Sequence, residues 1–189
     1  VWDVRSGREL RSWQGHEQSG LRLAWSGDGR WLATTSHDGR VRVWDPSTGK
    51  QAVELEALKD QAGAGIALSP DGSMAASASV AGTVKLWAIP SGTLRLSLVD
   101  GTRSAEQIAW NPDGRSVAVA GTDGVVKLWD TASGTMLREF RHGRGTVVAA
   151  FGRDGRVLAV ASSDRTISLW NITDGRRLLT LSGHGEAIH

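Results

Sequence analysis

Apolar and polar positions alternate in short runs along the whole chain. Leu21-Arg22-Leu23-Ala24-Trp25 and Val41-Arg42-Val43-Trp44 each repeat with a period of two, the mark of a half-buried strand. Between the runs stand Gly27-Asp28-Gly29, Asp38-Gly39 and Thr48-Gly49. Such residues tolerate the positive φ that tight hairpin turns require. In this first unit the pattern predicts four strands: 21–25, 31–36, 41–44 and 51–55. No run of about ten to twelve residues has a convincing 3.6-residue period, so essentially no helix is expected.

The unit repeats. Trp2, Trp44, Trp87, Trp129 and Trp170 lie 41 to 43 residues apart, and each has a glycine five residues later: Gly7, Gly49, Gly92, Gly134 and Gly175. Asp28, Asp71, Asp113 and Asp154 open the Asp-Gly turns and precede their tryptophans by 16 residues in every unit. All length variation therefore falls between the glycine after each Trp and the next Asp-Gly, which holds the fourth strand, a loop and the next unit's first strand. Insertions in repeat proteins collect in loops on one face, often the binding face. The predicted organisation is one segment with complete units at 20–55, 63–98, 105–140 and 146–181. Residues 1–13 precede them as the end of one Trp-Asp strand, a turn at Ser6-Gly7 and a strand from Arg8 to Trp13. A stub, 183–189, follows.

Composition changes this picture little. Nine Trp stand beside no Tyr and two Phe, a skew that one fixed slot per repeat explains. There is no cysteine, so disulfides, thiolate metal sites and thiol catalysis are excluded. The formal charge is +2 without runs of like charge, which argues against a nucleic-acid or membrane partner. No apolar run approaches a membrane span, no secretory leader is visible, and a cytoplasmic location is expected.

The motifs Gly15-His16, Ser36-His37-Asp38-Gly39, Trp44-Asp45, Ser69-Pro70-Asp71-Gly72, Asn111-Pro112-Asp113-Gly114, Ser163-Asp164 and Gly183-His184 resemble those of the WD-repeat family of β-propellers. The resemblance covers the whole chain. It implies an all-β fold: an incomplete β-propeller of four full, four-stranded antiparallel blades plus an outer half-blade at 1–13. It also implies a hydrogen-bonded tetrad of His, Ser or Thr, Asp and Trp in each blade, in which Asp serves as acceptor for otherwise stranded buried donors. Carried over by position, this is His16, Thr34 or Ser36, Asp38 and Trp44 in the first unit. Asp123 and Trp129 match in the third unit, and His142, Asp164 and Trp170 in the fourth. Lys59, Ala81 and Gly101 replace tetrad members, and the Trp-Asp pair becomes Trp87-Ala88 and Trp170-Asn171. An open arc would leave two blade faces uncovered, roughly 10 kcal/mol of unrealised burial at ~25 cal/mol per Å². A fragment of a longer ring, or self-association through the open edges, is expected.

His16, Thr34 or Ser36, and Asp38 also have the residue types of a hydrolase triad. They are read as structural, because parts of the set recur in register with a Trp and the hydroxyl lies in a strand. His184 and His189 have no third ligand nearby, Gly63-Ala64-Gly65 and Gly143-Arg144-Gly145 precede no helix, and Asn171-Ile172-Thr173 is a formal sequon without other signs of secretion. No metal and no cofactor are expected. What remains is the loops. The resemblance makes the face that carries the inter-blade loops and the turn before the third strand the docking surface. Here it would present Glu17, Gln18, His37, Lys59, Asp60, Asp100, Arg103, Glu106, Thr122 and Arg144. The leading reading is a non-catalytic scaffold that binds a protein or peptide. The alternatives are a sensor propeller appended to a catalytic domain, and a small-molecule-binding or enzymatic propeller.

Overall fold

Hydrophobic alternation cut by glycine turns folds into an all-β arrangement in the computed structural model, which describes residues 1–55, 63–79, 81–99, 105–143, 145, 147–186 and 188. There is no helix among them. Sheet one contains β1 (Gly20–Trp25), β2 (Leu32–Ser36), β3 (Val41–Asp45) and β4 (Lys50–Leu55). Sheet two contains β5 (Gly63–Leu68), β6 (Met74–Ser79), β7 (Thr83–Ala88) and β8 (Leu94–Val99). Sheet three contains β9 (Ala105–Trp110), β10 (Ser116–Gly121), β11 (Val125–Asp130) and β12 (Met136–Arg141). Sheet four contains β13 (Val147–Phe151), β14 (Val157–Ser162), β15 (Thr166–Asn171) and β16 (Arg177–Ser182). Each sheet is an antiparallel meander in sequence order. In each, the register between the third and fourth strands slips at the tryptophan: Trp44, Trp87, Trp129 and Trp170.

The sheets are propeller blades stacked face to face, with the first strands β1, β5, β9 and β13 in contact in series. Three cores lie between them. Ala33, Val41, Val43 and Leu55 of sheet one meet Ile66, Leu68, Ala75 and Trp87 of sheet two. Ala76, Ala78, Val84, Leu86 and Leu98 meet Ile108, Val117, Val119 and Trp129. Ala118, Ala120, Val126, Leu128 and Phe140 meet Ala149, Leu158, Val160 and Trp170. The repeated geometry sends Trp87, Trp129 and Trp170 backward onto the preceding sheet, and Trp44 onto Trp13. The second strands of the two middle sheets are covered on both faces, so β10 (Ser116–Gly121) is buried throughout and reads as a continuous small and apolar run instead of alternating.

The two ends differ from the middle. Residues 1–13 do not form the two strands predicted; among them only Trp2 and Glu9 make a bridge, around a turn at 4–6. They lie against sheet one, where Trp13 packs on Trp44 at a centroid distance of 6.0 Å. At the other end, the forward face of sheet four meets no further sheet among the described residues.

Candidate functional site

In sheet one a chain of hydrogen bonds runs from strand to turn. Trp44 Nε1 donates to Thr34 Oγ1 at 2.9 Å, and Thr34 Oγ1 lies 2.8 Å from His16 Nε2. His16 Nδ1 lies 3.0 Å from Asp38 Oδ2. The directions that satisfy every group make Thr34 donate to Nε2 and His16 donate from Nδ1. Of the two candidate hydroxyls, Thr34 is the one used. It shares the backward face with Trp44, whereas Ser36 caps the rim, donating to the carbonyls of Ser19 at 3.0 Å and Gln18 at 3.2 Å. Burial of Asp38 would raise its pKa; the bonds from His16 and the Arg40 N–H, with the charge of Arg42, outweigh it and hold the carboxyl below its usual range.

Arg42 is the member that sequence reasoning missed. It donates to the Gly15 carbonyl at 2.5 Å and to Glu54 Oε2 at 3.0 Å, and lies 3.8 Å from Asp38 Oδ2. The available signal was charge: Arg42 and Glu54 are cross-strand partners of opposite sign.

The other sheets hold remnants. In sheet two Trp87 Nε1 donates to Ser77 Oγ at 2.9 Å. In sheet three the position of Thr34 is taken by Val119, and the buried Trp129 N–H finds no acceptor. Asp123 there caps its turn, accepting from the Val125 N–H at 3.2 Å. In sheet four Val160 takes that position and Trp170 N–H is likewise stranded. His142 turns instead to Thr166, 3.2 Å from its carbonyl oxygen and 3.3 Å from its hydroxyl, with Asp164 Oδ1 3.8 Å away. Burial would raise the Asp164 pKa; bonds from the Thr166 hydroxyl and N–H reverse the direction. A joined tetrad is therefore found in sheet one, and the expected partners of Trp129 and Trp170 do not reach them.

Thr34 also borders a cavity of about 260 Å³ beneath residues 1–13, lined by Trp2, Trp13 and Trp44. Its hydroxyl is already engaged on both sides, by the indole and by the imidazole, which suits a brace. Among the described residues, no three His, Asp or Glu side chains gather as metal ligands. His184 is exposed.

Of the rim residues, Glu17, Gln18 and His37 are exposed, and the bonds of Ser36 together with His37 N–H to Ser19 O at 3.1 Å stitch their two loops together. Thr122 is half-buried in the β10–β11 turn. Glu106 is a half-buried residue of β9 (Ala105–Trp110), not a loop residue, because that strand begins before it. Lys59, Asp60, Asp100, Arg103 and Arg144 lie outside the described residues. A polar tie that the sequence did not reveal is Gln107, whose Oε1 accepts from the Ala149 N–H at 2.6 Å and joins sheets three and four.

The family model described as WD domain, G-beta repeat matches residues 7–45, 63–88 and 134–171, more than half of the chain. The chain belongs to the WD-repeat family. A second model, the anaphase-promoting complex subunit 4 WD40 domain, matches residues 97–152, across sheet three. Similar WD-repeat relatives include Coronin-7 of Rattus norvegicus, 52% identical over 46 residues, which are 24% of this chain and 5% of that protein. Coronin-7 of Homo sapiens is 43% identical over 54 residues, 29% of this chain and 6% of that protein. Protein ROOT INITIATION DEFECTIVE 3 of Arabidopsis thaliana is 43% identical over 44 residues, 23% of this chain and 10% of that protein. The matched stretches thus span a tenth or less of these relatives' own length.

Proposed function

We propose that this chain is a non-catalytic WD-repeat scaffold that works in the cytoplasm as part of a larger propeller assembly. The observation that carries the reading is the forward face of sheet four. Cross-strand register places Val148, Ala150, Ala159, Ala161, Ile167, Leu169, Leu179 and Leu181 on it. The equivalent positions of sheet one, including Ala33, Val41, Val43 and Leu55, are buried against sheet two. On sheet four Leu179 is 51% and Leu181 44% exposed. A surface patterned as a core layer and left open is an interaction surface. A further WD-type sheet fits it, and the rim around Glu17, Gln18 and His37 supplies a protein or peptide partner with exposed polar groups on a rigid frame. Sedimentation of the chain over a range of concentrations tests the reading. Concentration-dependent association, weakened at least about tenfold by Leu179→Lys with Leu181→Lys but not by Leu94→Lys, is expected. A monomer at every concentration would overturn it.

A further inference from the structure

The three junctions between neighbouring sheets are not equally closed at the end that carries the Asp-Gly turns. Between sheets one and two the space is filled. A Cβ placed on Gly72 would lie 3.0 Å from Trp31 Cδ1 and 2.9 Å from an Asp28 carboxylate oxygen. Arg30 Nη2 donates to the Asp71 carbonyl at 2.7 Å while its Nε is engaged by Asp28. Between sheets three and four Asn111 does the filling: its amide donates to Gly155 O at 3.2 Å, and a Cβ on Gly155 would overlap that amide.

Between sheets two and three neither device is present. The positions of Arg30 and Trp31 are occupied by Ser73 and Met74, and that of Asn111 by Ser69, whose hydroxyl turns to Asp71 Oδ1 at 2.7 Å. Gly114, the counterpart of Gly72 and Gly155, consequently has nothing within 4 Å of where a Cβ would stand. The result is a cleft of about 480 Å³; a smaller one of about 320 Å³ lies further out between sheets three and four, against Ile172 and Thr173. The larger volume is within the usual range of a binding pocket, about 300–1,000 Å³.

The lining has a definite character. Met74 and Trp110 supply an apolar wall, and the Trp110 Nε1 is buried without an acceptor. Asp71, Asp113 and Asp130 supply three carboxylates against the one guanidinium of Arg115. Asp71 is held below the usual carboxyl range by the Ser69 hydroxyl and then by the Ser73 N–H and hydroxyl, and Asp130 by the Ser133 N–H and hydroxyl. The cleft is therefore an aromatic-walled groove with a surplus of negative charge at neutral pH.

We propose that the cleft between sheets two and three, walled by Met74 and Trp110 and rimmed by Asp71, Asp113 and Asp130, docks a partner protein's segment through an arginine side chain. The guanidinium is planar and weakly hydrated, stacks on indole faces, and forks its donors onto carboxylates, which keep lone pairs beyond those spent in their turns. An acidic segment would be repelled. The proposal deepens the scaffold reading, on which the protein nature of the occupant rests. The two fail separately, because the cleft uses none of the sheet-four residues.

The test uses the 189-residue chain labelled with ¹⁵N-tryptophan. The probes are acetyl-Gly-Arg-Gly-amide, its glutamine counterpart and guanidinium chloride, with the Trp110 indole signal assigned through Trp110→Phe. The expected result is a saturable shift of the Trp110 N–H by the arginine peptide alone. Asp113→Asn, an exposed turn position that keeps its cap, should weaken it at least about fivefold, the loss of one charge-assisted contact. Ser73→Arg with Met74→Trp, which transplants the filler of the first junction, should abolish it. An equal shift with the glutamine peptide or with guanidinium chloride, no saturable shift at all, or an unchanged affinity in Asp113→Asn would each overturn the proposal.

Discussion

Trp44, Trp87, Trp129 and Trp170 occupy one structural position, yet only the first two N–H groups are paired. One side chain ten residues upstream decides this: Thr34 and Ser77 supply a hydroxyl, Val119 and Val160 do not. Thr34→Val should cost about 1–3 kcal/mol, since it strands both the indole and the imidazole, and the urea midpoint will show it. In the opposite sense, Val119→Thr offers the stranded Trp129 N–H an acceptor in nearly the same volume. It should be neutral or stabilising, whereas Val126→Thr, equally buried with no waiting partner, should cost about 1–3 kcal/mol. Arg165 has a φ of 72°, where the other units place Gly39, Gly82 and Gly124 at 75° to 82°. A side chain there is strained. Arg165→Gly should raise stability by about 0.5–1 kcal/mol after the greater chain entropy of glycine is subtracted.

At the scale of the element, the turns are built by aspartates that accept from the hydroxyls and N–H groups around them. Asp28 is lowered to about 2, first by the Ser26 hydroxyl, then by the Arg30 N–H and guanidinium. Asp45, Asp71 and Asp130 are lowered by serines in the same way. A folded pKa below the ordinary value of 3.8 means that the stability these groups contribute is fully present above that value. It is lost as pH falls through the folded pKa values. The urea midpoint should therefore be flat between about pH 7 and 5 and fall between about pH 4 and 2. In the Asp28→Asn, Asp71→Asn double variant the acid fall should be shallower; an identical pH profile would contradict the assignment.

For the whole molecule the asymmetry of its ends matters most. The backward face of sheet one is partly covered by residues 1–13, which leave Leu23 67% and Trp25 45% exposed. The forward face of sheet four is apolar and meets no further sheet among the described residues. Association that involves only the folded state stabilises it by mass action. Thermal denaturation should therefore shift upward by about 2–4 °C per tenfold rise in protein concentration, and the shift should vanish in Leu179→Lys, Leu181→Lys. A melting temperature independent of concentration in the unsubstituted chain would show that the face is not used.

The strands, their turns and the forty-odd-residue period were legible in the amino-acid order because they are local. A hairpin is specified by the alternation and the glycine within about ten residues of it, and Trp44, Trp87, Trp129 and Trp170 mark the same strand each time. The His16, Asp38 and Trp44 positions could be read for the same reason. Only the tertiary structure chose Thr34 over Ser36: both lie in β2 (Leu32–Ser36), and nearness to Trp44 and His16, not residue type, separates them. It also placed Glu106 in a strand, paired Arg42 with Gly15, tied Gln107 to Ala149, reduced residues 1–13 to a single bridge and left Gly114 without a neighbour at the junction of sheets two and three. The Gln107 tie and the space at Gly114 depend on how closely one sheet approaches the next. That spacing is set by side chains some forty residues apart, such as Trp31 against Gly72 or Asn111 against Gly155, and no local pattern carries it.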